Sequence, residues 1–86
     1  MISLQKMGRK NLKHKIDWFI VNRVREMRLA KGLSQDDVAI HLNFSKGYIG
    51  HIESPNFIAK YNTSHINELA KLFNCSPKDF FPDLPF

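Results

Sequence analysis

The sequence holds a single cysteine, Cys75, so no internal disulfide can form, which suits a reducing cytosol and a cytoplasmic location. Its longest wholly apolar run is Trp18-Phe19-Ile20-Val21, far too short to span a membrane. The N-terminus is charged and lacks an apolar core with a cleavage pattern, so no secretory signal is expected. No repeat at the periods typical of solenoids or propellers is present. His14, His41, His51 and His65 show no metal-ligand spacing with one another or with Cys75. There is no glycine-rich phosphate loop, no carboxylate pair assignable to a cleft, and no stretch that reads as a strand. These absences argue against an enzyme, a metal site or a cofactor.

Acid is missing from the first fifteen residues, which carry Lys6, Arg9, Lys10, Lys13 and Lys15. Residues 16–33 hold four basic and two acidic side chains. From Ser34 onward there are four Lys against six Asp and Glu, a net of −2, although the whole chain carries +5. Positive charge is therefore concentrated at the front. A cationic lead segment suits a polyanion such as DNA. Arg9, Lys10 and Lys13, with Lys60 further on, are the candidate phosphate contacts. The competing reading is a solvated, disordered leader with no ligand.

What is present is one small all-α domain. Its 43% apolar content is ordinary for a globular chain and too high for a disordered one. A chain of this length buries roughly 60–65% of its unfolded surface. Residues 1–15 read as a flexible basic arm, 16–82 as the folded domain and 83–86 as a short tail. Ile16, Ile20, Val24 and Met27 recur at helical steps, so the first helix should run from about 16 to 31. Gly32 ends it, with Leu33 folding back as the apolar partner. Asn62 or Thr63 caps the fourth helix, whose buried face is Ile66, Leu69, Ala70 and Phe73 and which Asn74 ends. Ser76-Pro77 with Asp79 starts a short fifth helix that Pro82 stops.

The stretch Ser34 to Glu53 organises the rest. Ser34 is an N-cap candidate, and Asp37 three residues on can complete a capping box. Val38, Ala39 and Leu42 make one face of a short helix, and Asn43 suits the left-handed residue that ends it. Ser45 reads as a second cap, and Tyr48, Ile49 and Ile52 set the period of the next helix, expected over about 45–54. The linker is too short for these two helices to run independently. They must pack at an angle on a shared core of Ala39, Leu42, Phe44, Ile49 and Ile52, which is a helix-turn-helix.

In Arg28, Gly32-Leu33-Ser34-Gln35, Val38-Ala39, Asn43, Phe44, Ser45, Ile49 and Ile52-Glu53, the chain resembles the Cro/repressor-type (XRE-type) helix-turn-helix family. Leu69-Ala70-Lys71, Asn74-Cys75-Ser76 and Phe80-Phe81 fit the same pattern, so the resemblance covers about two-thirds of the chain. It implies a compact five-helix bundle of the lambda-repressor-like type and a sequence-specific regulator of transcription that binds double-stranded DNA. It places a buried apolar residue at Cys75, and a partly buried ion pair at Arg28 and Glu53. It also assigns Gln35 to a phosphate or a base, in keeping with the outward backbone N–H groups at a helix start.

If Ile49 and Ile52 face inward, the third helix presents Lys46, Gly47, Gly50 and His51, with Ser45 and Tyr48 beside them. Lys46 can donate to guanine O6/N7 or to a phosphate, and His51 can meet a base edge as donor or acceptor. Tyr48 offers a hydroxyl to a phosphate or covers the core edge. Gly47 and Gly50 depart from the polar residues usual in the family. Either they let the helix approach DNA closely, or they carry no function. One such module reads few base pairs, so a homodimer on DNA is expected, with Ile40, Phe57, Ile58 and the Phe80-to-Phe86 tail as candidate apolar surface. Two alternatives stay open: a protein-interaction module or antitoxin-like partner of a toxin, and a non-specific nucleic-acid binder using the basic arm.

Overall fold

The first, second and fourth helices stop in the same way, and each stop sets the direction of the next segment. In the computed structural model, which describes residues 11–86, α1 is Lys15–Ala30, α2 Gln35–Leu42, α3 Tyr48–Ile52 and α4 Thr63–Phe73. Gly32, Asn43 and Asn74 follow α1, α2 and α4 with φ of 70°, 60° and 56°. This left-handed region suits glycine and tolerates asparagine. The next residue then donates its N–H back into the helix: Leu33 to Arg28 O at 3.0 Å, Phe44 to Ala39 O at 2.8 Å and Cys75 to Ala70 O at 3.0 Å. Each reversal turns an apolar or half-buried side chain toward the bundle. Leu33, Phe44 and Cys75 all pack against the core.

The helix starts are equally well defined. Ser34 Oγ accepts from Asp37 N–H at 3.0 Å while Asp37 Oδ2 accepts from Ser34 N–H at 2.8 Å. Asn62, not Thr63, caps α4, and His65 Nδ1 accepts the Asn62 N–H at 3.1 Å. Burial pushes the His65 ring below its ordinary pKa, which favours the neutral form that this acceptor role needs. Around these helices the core closes on Val21, Val24, Val38, Ile49, Ile52, Leu69, Phe73 and Phe80, all essentially without solvent contact. The α4 face is the expected Ile66, Leu69, Ala70 and Phe73.

Three expectations change. The buried stripe of α1 is Ile20, Val21, Val24 and Arg28, while Ile16 is exposed and Met27 only partly buried. The fifth helix is a single 3-10 turn, Pro77–Phe80. Phe81 is already extended (φ −102°, ψ 151°), as the residue before Pro82 must be. The third helix does not begin at Ser45. Gly47 precedes it with φ 90° and ψ −15°, and Ser45 O instead accepts the Tyr48 N–H of a tight turn at 3.2 Å.

Arg9 and Lys10 of the expected arm lie outside the described residues. Leu12 and Lys13 are tied to the loop that follows α3. Leu12 N–H donates to Pro55 O at 2.9 Å. Lys13 is only 7% exposed, its Nζ donating to Ser54 O and to Phe57 O (2.7 Å for the latter) and lying 5.4 Å from the Trp18 ring centroid. Burial pulls its pKa below the ordinary lysine value, and Asp17 partly opposes that shift. Lys13, expected as a phosphate contact, thus has its ammonium turned inward. Its head satisfies two carbonyls of the irregular loop that have no backbone partner among the described residues.

Candidate nucleic-acid interface

The candidate face is built outward from one buried carboxylate. Glu53 stands at the C-cap of α3, where the helix dipole disfavours negative charge. Arg28 of α1 answers it with a two-pronged bond: Nε to Oε2 at 3.0 Å and Nη2 to Oε1 at 2.9 Å. The two side chains are 7% and 4% exposed. Arg28 Nη1 also donates to Leu33 O at 2.9 Å, joining the α1–α2 turn to the same cluster. Such a planar fork fixes angle as well as distance.

Gln35, expected to meet a phosphate or a base, donates Nε2 to Glu53 Oε1 at 2.9 Å. A buried carboxylate with a free lone pair recruits the nearest amide. The Gln35 carbonyl lies over Gly50, where an added Cβ would sit 3.6 Å from Oε1, an ordinary contact. Gly50 is therefore not forced by crowding; it leaves a smooth place on α3 beside Gln35. Gly47 is different. Its added Cβ would meet nothing, but its φ of 90° is one that L side chains rarely adopt. The conformation, and not an approach to DNA, accounts for this glycine.

Ser45 and Lys46 are exposed in the turn before α3, while Ile49 and Ile52 are buried. His51 is exposed on α3 and stacks on Phe57, centroids 4.0 Å apart and planes 7° from parallel. Tyr48 is half-buried, edge-on to Phe44 at 4.9 Å, so its ring covers the core edge. Lys60 pairs with Asp17 Oδ2 at 3.1 Å and keeps about half its side chain exposed. The structure thus gathers Gln35, Lys46, Gly50 and His51 around α3, turns Lys13 inward and pairs Lys60 with Asp17 at the surface.

Two neighbours of this face escape sequence reasoning. Arg25 Nε lies 3.8 Å from Glu53 Oε1 with half its side chain exposed, adding a cation beside Gln35. Its position three residues before Arg28 places both on one side of α1, the signal that could have found it. Phe57, expected only as apolar surface for a dimer, sits in an irregular loop after Pro55 and lies against His51, a contact that no periodicity announces. Among the described residues no cluster of His, Cys, Asp or Glu can hold a metal, and no helix is long and apolar enough to cross a membrane.

A short helix set across a second by a tight turn, with the exposed side of the second left polar, is the framework of a DNA-binding regulator. The helix-turn-helix domain family matches residues 21–82, and the chain belongs to it, in the Cro/repressor (XRE) branch. Among solved structures it is similar to the restriction-modification controller protein C.AhdI from Aeromonas hydrophila. The two share 30% identity over 73% of this chain and 92% of that one, with a TM-score of 0.62. No curated protein matches the sequence.

Proposed function

We propose that this protein recognises a specific double-stranded DNA site, with α3 in the major groove, and regulates transcription from it. The observation that carries the reading is the division of the turn and α3 into two sides. Ile49 and Ile52 are buried and Glu53 is pinned to α1, while Lys46 and His51 face solvent. The major groove, about 12 Å wide, admits one helix, and Lys46 and His51 supply donors for base edges. Ser45 and Gly50 leave room for the backbone to come close, Gly47 sets the turn that presents them, and Tyr48 offers its hydroxyl at the margin. Gln35 keeps a second amide hydrogen for a phosphate beside the start of α2. The likeness to a restriction-modification controller supports a regulatory role over a catalytic one.

A mobility-shift selection from a randomised duplex pool tests this directly. One sequence should emerge, and Lys46→Ala and His51→Ala should each weaken binding to it by ~1–3 kcal/mol. Undiminished binding by the double variant removes α3 as the reader.

The complex is a homodimer on a two-fold site in this proposal, since one α3 spans only a few base pairs. Ile40, Ile58, Leu84 and Phe86 are 78%, 76%, 77% and 68% exposed and supply apolar area. Phe80, expected to share that surface, is wholly buried in its own chain. Sedimentation at saturating operator should give two chains per duplex; one chain per duplex refutes the pairing.

A further inference from the structure

The loop after α3 is held from two sides at once. From the outer side, Leu12 N–H and Lys13 Nζ bond to the carbonyls of Pro55, Ser54 and Phe57. From the inner side, the Phe57 ring lies flat on His51, centroids 4.0 Å apart and planes 7° from parallel. Lys13 is buried for this purpose at 7% exposure, although it costs free energy to take an ammonium out of water. Phe57 keeps 42% of its surface exposed, so the stack is a surface feature and not part of the core.

We propose that Phe57, fixed by Lys13, is a positioning residue for DNA recognition: it holds the His51 imidazole in the orientation that reads a base edge. This role rests on the proposed DNA-binding function. An exposed histidine on a helix of five residues would otherwise sample several rotamers. A flat aromatic partner removes that freedom at one face of the ring and leaves the ring nitrogens at its edge free for a base. Discrimination by a hydrogen bond depends on the donor being in place beforehand. The N-terminal segment therefore acts on sequence choice through packing and not through charge. Lys13 contributes to affinity for the chosen site while neutralising no phosphate.

The test compares the full chain with Phe57→Leu, Phe57→Trp, Lys13→Met and His51→Ala. Each is titrated with the selected duplex, with a duplex changed at the base pair where His51→Ala loses discrimination, and with random duplex. Phe57→Leu and Lys13→Met should lower discrimination at that one base pair by roughly tenfold and leave random-duplex binding unchanged. Phe57→Trp, which keeps a flat ring, should restore it. The salt dependence of Lys13→Met should match the parent; a slope lower by about 0.9 would make Lys13 a phosphate contact and overturn the inference. In DNA-free protein, the His51 ring protons should be shifted upfield by the Phe57 ring in proton NMR and lose that shift in Phe57→Leu. If the parent discriminates and Phe57→Leu does so equally well, the positioning role fails alone. A parent that binds selected and random duplex equally overturns the DNA-recognition reading itself.

Discussion

Arg28→Met and Glu53→Gln are each expected to destabilise the protein by ~3–5 kcal/mol, because each leaves one half of a buried pair behind. The partners are 7% and 4% exposed, so the survivor keeps little water. In Arg28→Met, the Glu53 carboxylate stays at the negative end of α3 with only the Gln35 amide bonded to it and Arg25 at 3.8 Å. In Glu53→Gln, the guanidinium retains its bond to Leu33 O but loses its charged partner. Tyr61 adds to the local polarity. Its hydroxyl is buried without a hydrogen-bond partner among the described residues, and burial first, then Glu53, pushes its pKa upward against Arg28. Denaturant midpoints of the singles and the double variant measure the coupling. The double should cost clearly less than the sum. Singles that lose under about 0.5 kcal/mol and simply add would show the two charges to be independent. DNA binding should fall with the pair, since it sets the angle of α3 against α1.

Phe80→Ala is the second large effect, at ~3–5 kcal/mol. The residue belongs to one turn of 3-10 helix near the chain end, a place where truncation is usually harmless. Here the turn is stitched down. Asp79 Oδ2 accepts from Ser76 N–H at 3.1 Å, and Arg23 Nε donates to Asp79 O at 3.1 Å. Phe80 itself is 0% exposed and meets Phe73 edge-on at 5.9 Å. Against a typical total of about 5–15 kcal/mol, its loss should bring the domain close to unfolding at ambient temperature. Phe86→Ala is the matched control. That ring is 68% exposed and lies edge-on to Phe19 at the surface, so its midpoint should move by less than about 0.5 kcal/mol. Equal effects of the two substitutions would mean that the tail, and not the turn, closes the bundle.

Features set by adjacent residues were legible in the sequence. Gly32, Asn43 and Asn74 announce their left-handed stops because few residue types accept that backbone, and the apolar residue after each is visible in the same window. The Ser34 and Ser76 boxes follow from spacing alone. Ser45 misled because serine serves turns as readily as caps, and the positive φ of Gly47, which decides between them, leaves no mark that distinguishes it from a helical glycine. The site was least legible where charges meet across the chain. Lys13 finds carbonyls 41 and 44 residues away, and Lys60 finds Asp17 at a separation of 43. Net charge by segment counts these cations as free, although folding has already given them partners. Gln35 illustrates the same limit: its amide is claimed by a carboxylate that local pattern places on another helix.

The left-handed glycine in front of α3 keeps that helix very short. It leaves five residues, Tyr48–Ile52, between it and the buried glutamate. An isolated helix needs about 12–15 residues before it persists in water. A synthetic peptide spanning this element would be a random coil, and no graft of these few side chains onto another scaffold would inherit their geometry without the surrounding bundle. Recognition is thus not stored in a detachable part. On the proposed reading, a chain that is only partly folded, on the ribosome or during degradation, would not present this surface to DNA.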